Sequence, residues 1–451
     1  MTPLHIALGT SIAAPFICAL VTGLLLIGRR QWLSEPVVYR AAIMALVVSL
    51  LGNIAVVALY EPAGANGVDI SFGRWISIGS YSIPALLHVD TIAIAFGLLG
   101  ALMTLLVARF SQTYLHKEAG YARFFVLLGF FATGTQLVAF AGALDVFFAG
   151  WEAIGICSAL FIGYFYEREE PVRSAVRAFA TYRFCDAGFL VAIVAVHELL
   201  GTTSISGLKN AEALGGATVT MIALMLLLAA FGKSAQLPFS SWLPRAMEGP
   251  TPSSALFYGS VSIHIGLYML LRTAPVLEAA PIAQALGITV GIATAIYATA
   301  VARTHTDAKG ALGHATLAQT GLILAEICLG FTTLALVHLV CHALLRSYQY
   351  LKAPNTLADT HVFGHPVHAH VKRSALSRWL YAQALHRFRL DDRMDALVSP
   401  VQWLAERLAR WDEAYRSSMT VKAVVPEMNN TEASVEVQAN EVQSRKVQEA
   451  R

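Results

Sequence analysis

An all-α, polytopic membrane fold is what this sequence predicts, and three observations predict it. Hydrophobic residues make up 56% of the 451 positions and charged residues 14%, with a mean hydropathy of +0.58; soluble domains run about a quarter charged. The apolar residues fall into runs of the length a bilayer core requires, about 20 residues per helix. Basic residues recur in alternate connections between those runs, the bias that orients membrane helices. The net charge of +3 is too small to suggest a nucleic-acid partner. Five cysteines, Cys18, Cys157, Cys185, Cys328 and Cys341, sit in apolar runs without metal-ligand spacing. They read as small buried hydrophobes, so no disulfide, iron–sulfur centre, haem or other cofactor is expected in this chain.

In order, the spans fall near 5–27, 38–60, 85–109, 122–142, 145–166, 177–199, 218–247, 253–273, 282–302, 312–330 and 333–352, about eleven crossings. The first run is long enough to span and shows no small-residue cleavage site, so no cleaved leader is expected. Connections after odd-numbered spans carry Arg29, Arg30 and Arg40; His116, Lys117 and Arg123; Arg168 and Arg173; Arg245; and Arg303 with Lys309. The others hold few basic residues, such as Arg74, Lys209 and Arg272. The expected topology is multi-pass in the cell (inner) membrane, N-terminus outside and C-terminus cytoplasmic.

The seventh span departs from its neighbours. In Gly232-Lys233-Ser234-Ala235-Gln236-Leu237-Pro238-Phe239 a lysine follows the apolar run 221–231, and a proline stands five residues later. In hydrocarbon an ammonium is costly, and a proline leaves a carbonyl without its helical partner. A broken helix is expected, with Lys233 at the break and Pro238 as the breaker.

Residues 1–84 read as N-terminal membrane helices and 85–352 as the main membrane domain. A polar connector, 353–376, holds His361, His365, His368 and His370, weak candidates for a metal because they share no helical frame. Over 377–417 an amphipathic helical pattern places Leu397, Val401, Leu404, Leu408 and Trp411 on one face among arginines. That face suits the membrane surface or a partner on the cytoplasmic side. Residues 418–451 lack any period and read as disordered.

Ionisable residues inside spans are functional candidates by default. Glu152 lies within the fifth span. Arg177, Arg183 and Asp186 lie in the first half of the sixth, where Arg183 and Asp186 share a face and can pair. His264 is midway along the eighth, and Glu326 late in the tenth. His338, His342 and Arg346 form a stripe at steps of four in the eleventh. A lysine balanced between desolvation and a carboxylate acts as a proton switch, since separating the charges releases the proton. A histidine passes a proton onward through water. Glu152, Lys233 and the histidines thus have the residue types of a proton path. The competing reading is a set of structural salt bridges and helix–helix hydrogen bonds.

Several motifs carry a specific resemblance: Trp151-Glu152, Gly232 to Pro238, Trp242-Leu243-Pro244, Met247-Glu248-Gly249-Pro250-Thr251-Pro252, Ser254-Ala255-Leu256, Thr306-Asp307-Ala308-Lys309, Gln319-Thr320-Gly321 and His338-Leu339-Val340-Cys341-His342-Ala343. In this order they resemble the antiporter-type proton-translocating family, which includes NuoL, NuoM and NuoN of respiratory complex I and the Mrp antiporter subunits. Leu390 to Leu397 is similar to the end of NuoL-type proteins. The resemblance implies that Glu152 and Lys233 form the input pair of a half-channel, and that Lys309, His338 and His342 belong to a central hydrophilic axis. Two departures stand out. Tyr258 replaces a histidine of the family pattern, and Arg346 replaces a lysine, keeping charge but not releasing a proton. The resemblance further implies a complete first five-helix repeat, over the fourth to eighth spans, and a truncated second one, so that other membrane subunits complete the route.

Shortened chains of this kind resemble DabB, the membrane partner of a large soluble DabA protein, which implies coupling of proton movement to CO2/bicarbonate uptake. The alternatives are a NuoL-like subunit of a complex I-type NADH:quinone oxidoreductase, with a redox partner, and a non-conducting membrane anchor for a soluble enzyme. No catalytic centre of its own is expected in any of them.

Overall fold

The computed structural model describes residues 2–28, 32–61, 67–78, 81–305, 308–353 and 375–419. Met1–Ser399 is one compact unit, and a second begins at Pro400. Helices occupy the expected runs: α1 (Pro3–Gly28), α2 (Glu35–Leu59), α3 (Thr91–Tyr114), α4 (Tyr121–Ala139), α5 (Leu144–Ile162), α6 (Glu169–Leu200), α7 (Gly216–Lys233), α8 (Thr251–Arg272), α9 (Pro281–Ala302), α10 (Ala308–Cys328) and α11 (Thr332–Lys352). Among the described residues, nine of them, α1 to α9, are long and apolar enough to cross a membrane. The last two, α10 and α11, are more polar, and α11 carries His338, His342 and Arg346.

Among the described residues the all-helical pattern has one exception, a hairpin between α2 and α3. Strands β1 (Val68–Ile78) and β2 (Tyr81–Val89) pair antiparallel from Val68 against Val89 to Ile78 against Tyr81, with irregularities around Arg74. The hairpin takes residues 85–89 from the expected third span, which starts instead at Thr91. The apolar run Ile83–Leu87 satisfies a strand as well as a helix start, and hydropathy does not separate them. Asp90 sets the boundary: its Oδ1 accepts the Ala93 amide at 2.7 Å, an N-cap.

The hairpin is fastened by charge. His88 Nδ1 contacts Asp69 Oδ1 at 2.5 Å, its Nε2 lies 3.4 Å from Asp90 Oδ2, and that oxygen also takes Arg272, the last residue of α8. Burial pushes the Asp90 carboxyl up, but the His88 hydrogen bond, the Arg272 charge and the Ala93 amide outweigh it and hold it well below the usual carboxylate range.

Aromatic rings fill the space between helices: Tyr268 stacks on Phe96 at 4.1 Å and on Phe147 at 6.0 Å, and Trp151 lies edge-on to Phe189. Helices α9 and α10 cross at Gly291 and Gly321, where a Cβ on either would stand 2.5 Å from the other's carbonyl oxygen. Small residues permit such close backbone approach in membranes.

The expected amphipathic region forms α12 (Ala375–Leu385) and α13 (Leu390–Met419). In the second unit Val401, Leu404, Leu408 and Trp411 are exposed. The four connector histidines, His361, His365, His368 and His370, and the tail from 420 lie outside the described residues.

Candidate functional site

Helix α7 stops at Lys233, five residues before the proline expected to break it. The Gln236 amide reaches back to the Phe231 carbonyl at 2.8 Å, and Ala235 takes a left-handed conformation with φ 52°. This 6→1 closure with an αL residue is a Schellman-type end. Pro238 is therefore not the terminator; it opens the turn of short helical pieces that follows, Phe239–Ser241 and Trp242–Arg245. Trp242 Nε1 donates to the buried Gly232 carbonyl at 3.0 Å. A cation in the last turn of α7 faces the negative end of the helix dipole.

The Lys233 side chain is fully buried. Its Nζ donates to the Trp151 carbonyl at 3.2 Å and lies 4.7 Å from the ring centres of both Trp151 and Tyr182. The carboxylate it faces is Asp186, at 3.9 Å, and not Glu152. Glu152 pairs with Arg183, and Arg183 Nη2 bonds Asp186 Oδ2 at 2.8 Å, the i, i+3 pairing expected from the sequence. The direct Glu152–Lys233 pair is thus replaced by a line: Glu152, Arg183, Asp186, Lys233. Helix α6 supplies the two middle members because it packs against both α5 and α7. Trp151 Nε1 holds the other Asp186 oxygen at 2.6 Å. Gly155 leaves the space that Nζ occupies; a Cβ there would stand 2.6 Å from it.

A second polar group joins α8, α10 and α11. His264 Nδ1 meets the Ser260 carbonyl, and its Nε2 lies 2.9 Å from His342 Nδ1. Arg346 Nε donates to His342 Nε2 at 3.2 Å. A guanidinium only donates and a carbonyl only accepts. With both rings neutral, each histidine therefore carries its hydrogen on Nδ1, and His342 donates to His264. Arg346, which does not release a proton, fixes which nitrogen of His342 holds one. His338 lies 6.3 Å from His342 between ring centres.

Between the two groups lies the α7 turn. Gln236 Nε2 donates to Thr320 Oγ1 on α10 at 3.2 Å, and Leu237 N to Thr294 Oγ1 on α9 at 3.1 Å. Ser234 Oγ and Gln236 Oε1 are buried and have no hydrogen-bond partner among the described residues.

Two expected site residues stand apart. Lys309 Nζ bonds Thr251 Oγ1 at 2.7 Å, in the first turn of α10. Arg177 pairs with Asp395 at the start of α13. Sequence reading passed over Trp151 as a ligand of Lys233, although its place beside Glu152 was visible. It also gave Tyr182 and Gln319 no role, and Glu326 none beyond its position.

Comparison with known proteins agrees with this architecture. Residues 141–369, just over half of the chain, match the family described as NADH:quinone oxidoreductase/Mrp antiporter, TM. Residues 75–125 match NADH-Ubiquinone oxidoreductase (complex I), chain 5 N-terminus. NADH-quinone oxidoreductase subunit L of Mycobacterium tuberculosis is 30% identical over 306 residues, 66% of this chain and 48% of that protein. The probable inorganic carbon transporter subunit DabB1 of Halothiobacillus neapolitanus is 33% identical over 309 residues, 67% of this chain and 55% of that one. The structure of the Mrp complex from Dietzia sp. DQ12-45-1b superposes with a TM-score of 0.67 at 26% identity, covering 77% of this chain and 37% of that chain. The chain spans about half the length of the curated relatives it matches.

Proposed function

We propose that this chain, which belongs to the NADH:quinone oxidoreductase/Mrp antiporter membrane family, is a proton-conducting subunit of a larger membrane complex. The observation that carries this reading is the line Glu152–Arg183–Asp186–Lys233 across three membrane helices. Arg183 Nη2 and Lys233 Nζ compete for the same Asp186 oxygen, at 2.8 and 3.9 Å. When Arg183 turns to Glu152, Asp186 is left to hold the Lys233 ammonium. When Arg183 engages Asp186, that hold weakens, and the ammonium gives a proton to water and becomes an amine. The orphaned oxygens of Ser234 and Gln236 suit water that carries this proton towards His264 and His342. Lys309, in the first turn of α10, lies to one side of this route and plays a supporting part.

The energy partner in this proposal is a reaction of inorganic carbon, with a large soluble DabA-like protein on the cytoplasmic side of the inner membrane. The 33% identity with a probable inorganic carbon transporter subunit supports it. A respiratory role is the second reading, supported by the 30% identity with a complex I subunit. Isolating the chain from mild detergent with whatever accompanies it separates the two. A large soluble protein supports the first reading, and redox subunits overturn it in favour of the second. Conduction itself is tested with Lys233→Ala in membrane vesicles carrying a trapped pH dye. Proton flux is expected to stop; unchanged flux would take Lys233 off the path, and parent flux no greater than that of protein-free vesicles would leave the chain a non-conducting anchor.

A further inference from the structure

The histidine file continues beyond His342 to a carboxylate. His338 Nδ1 lies 2.9 and 3.1 Å from the two oxygens of Glu326, and its Nε2 lies 3.0 Å from Gln319 Oε1. Both ring nitrogens thus face acceptor oxygens. A neutral imidazole has one N–H and satisfies only one of them, whereas a doubly protonated ring satisfies both. Glu326 and Gln319 thus give His338 an acceptor on each side.

Its position in the bundle is set by packing. Arg272 ends α8 against Asp90 at the hairpin, and α9 begins nearby at Pro281. Cys328, the last residue of α10, fills the space beside Gly287 in the second turn of α9. Glu326 therefore lies at the hairpin end of the bundle, two residues from the end of its helix. Exposure rises along the same line. His264 is 0% exposed and His342 5%, whereas the side chains of His338 and Glu326 reach 24% and 21%. The file is enclosed at His264 and reaches partly uncovered side chains at His338 and Glu326.

We propose that Glu326, with His338 and Gln319, is the proton-exchange site through which this chain itself communicates with water at the hairpin end. The inference rests on the proton-conducting reading above and gives the route an end within this chain. Outward, His338 as imidazolium gives its Nδ1 proton to the Glu326 carboxylate, which becomes a neutral acid. The acid then releases that proton to water and returns to the carboxylate, while His338 accepts the next proton from water on the inner side of the site. The inward direction reverses each transfer, so no proton is gained or lost at the site. Gln319 holds Nε2 in place, which leaves Nδ1 as the nitrogen that exchanges.

The purely structural alternative is a Glu326–His338 tie that fastens α10 to α11. Glu326→Gln keeps the shape and an acceptor oxygen for that tie but removes the exchangeable proton. The test uses the full chain in membrane vesicles, with proton flux driven by an imposed potassium diffusion potential. Glu326→Gln is expected to lower flux at least about tenfold, and Glu326→Asp to stay within about threefold of the parent. In Glu326→Ala, added formate, a small diffusible acid, should restore part of the flux, whereas chloride at equal concentration should not. A structural tie would not respond to formate. Parent-like flux in Glu326→Gln, with Lys233→Ala inactive in the same vesicles, overturns this site and leaves the conducting role standing. Parent-like flux in both variants overturns the site together with the Lys233 route on which it rests.

Discussion

Arg272 and Lys233 are each the last residue of a membrane helix, each buried, and each set against an aspartate. Arg272 contacts Asp90 directly, and the second oxygen of Asp90 caps α3. Lys233 stands 3.9 Å from Asp186 and shares its oxygen with Arg183, while two aromatic rings and a carbonyl hold the rest of the ammonium. The difference is chemical as well as geometric. A buried guanidinium keeps its charge under all conditions, so its partner must stay; a buried ammonium can shed its proton and survive without one. The first arrangement fastens a hairpin to the bundle, and the second fits the exchange proposed for Lys233.

The largest effect is expected at the fastening. Asp90→Ala strands Arg272 as an unpaired buried charge, at a cost of about 3–5 kcal/mol, and removes a helix cap worth about 1 kcal/mol. Thermal unfolding in detergent should show little folded protein. The same contact predicts a pH dependence. A carboxyl held below its usual range stabilises the fold above the unfolded value of about 3.9 and loses that contribution only as pH falls through the folded value. The gap in Tm between the parent and Asp90→Asn should therefore stay constant from about pH 7 to about pH 5 and close only in stronger acid.

At the proposed exchange site the same kind of change should spare the fold and stop the flow. Asp186→Asn keeps an acceptor for the Trp151 indole, and Lys233 can become neutral. Flux should fall about a hundredfold with a normal yield of folded protein. If Asp186→Asn unfolds the chain as Asp90→Ala does, the two sites are alike and the contrast fails. Gly155→Ala sharpens the point, since the methyl would meet the movable Nζ at 2.6 Å. Displacing the ammonium should lower flux about tenfold with thermal stability unchanged. The smallest effect belongs to Lys309→Ala, which loses one hydrogen bond to Thr251 and should leave flux within about twofold.

The helices were legible because about 20 apolar residues in a row have few other uses. The hairpin was not, although Val68, Ile70 and Phe72 alternate with polar residues. The pattern slips at Gly73 and Arg74, where the pairing itself is irregular, and the apolar stretch of β2 passes for the start of a helix. At the site, Lys233, Arg183 and Asp186 were visible as charges out of place, and the i, i+3 pairing followed from helix geometry. Which carboxylate meets Lys233 did not follow. That depends on how far α6 is rotated between α5 and α7, a quantity set by side chains such as Phe189 and Cys185 packing against Trp151 and Gly232. Spacing along one chain does not encode it. The role of Arg346 was hidden for a related reason, since its effect on His342 appears only when the partner His264 on another helix is known.

In the role proposed above, Lys233 exchanges its proton and does not merely supply a positive charge. Lys233→Arg separates these most directly, because arginine keeps the charge and the pairing with Asp186 but does not deprotonate. Proton flux in vesicles carrying Lys233→Arg should be as low as with Lys233→Ala, with the protein folded. Flux like that of the parent chain would contradict the account and make Lys233 a fastening like Arg272.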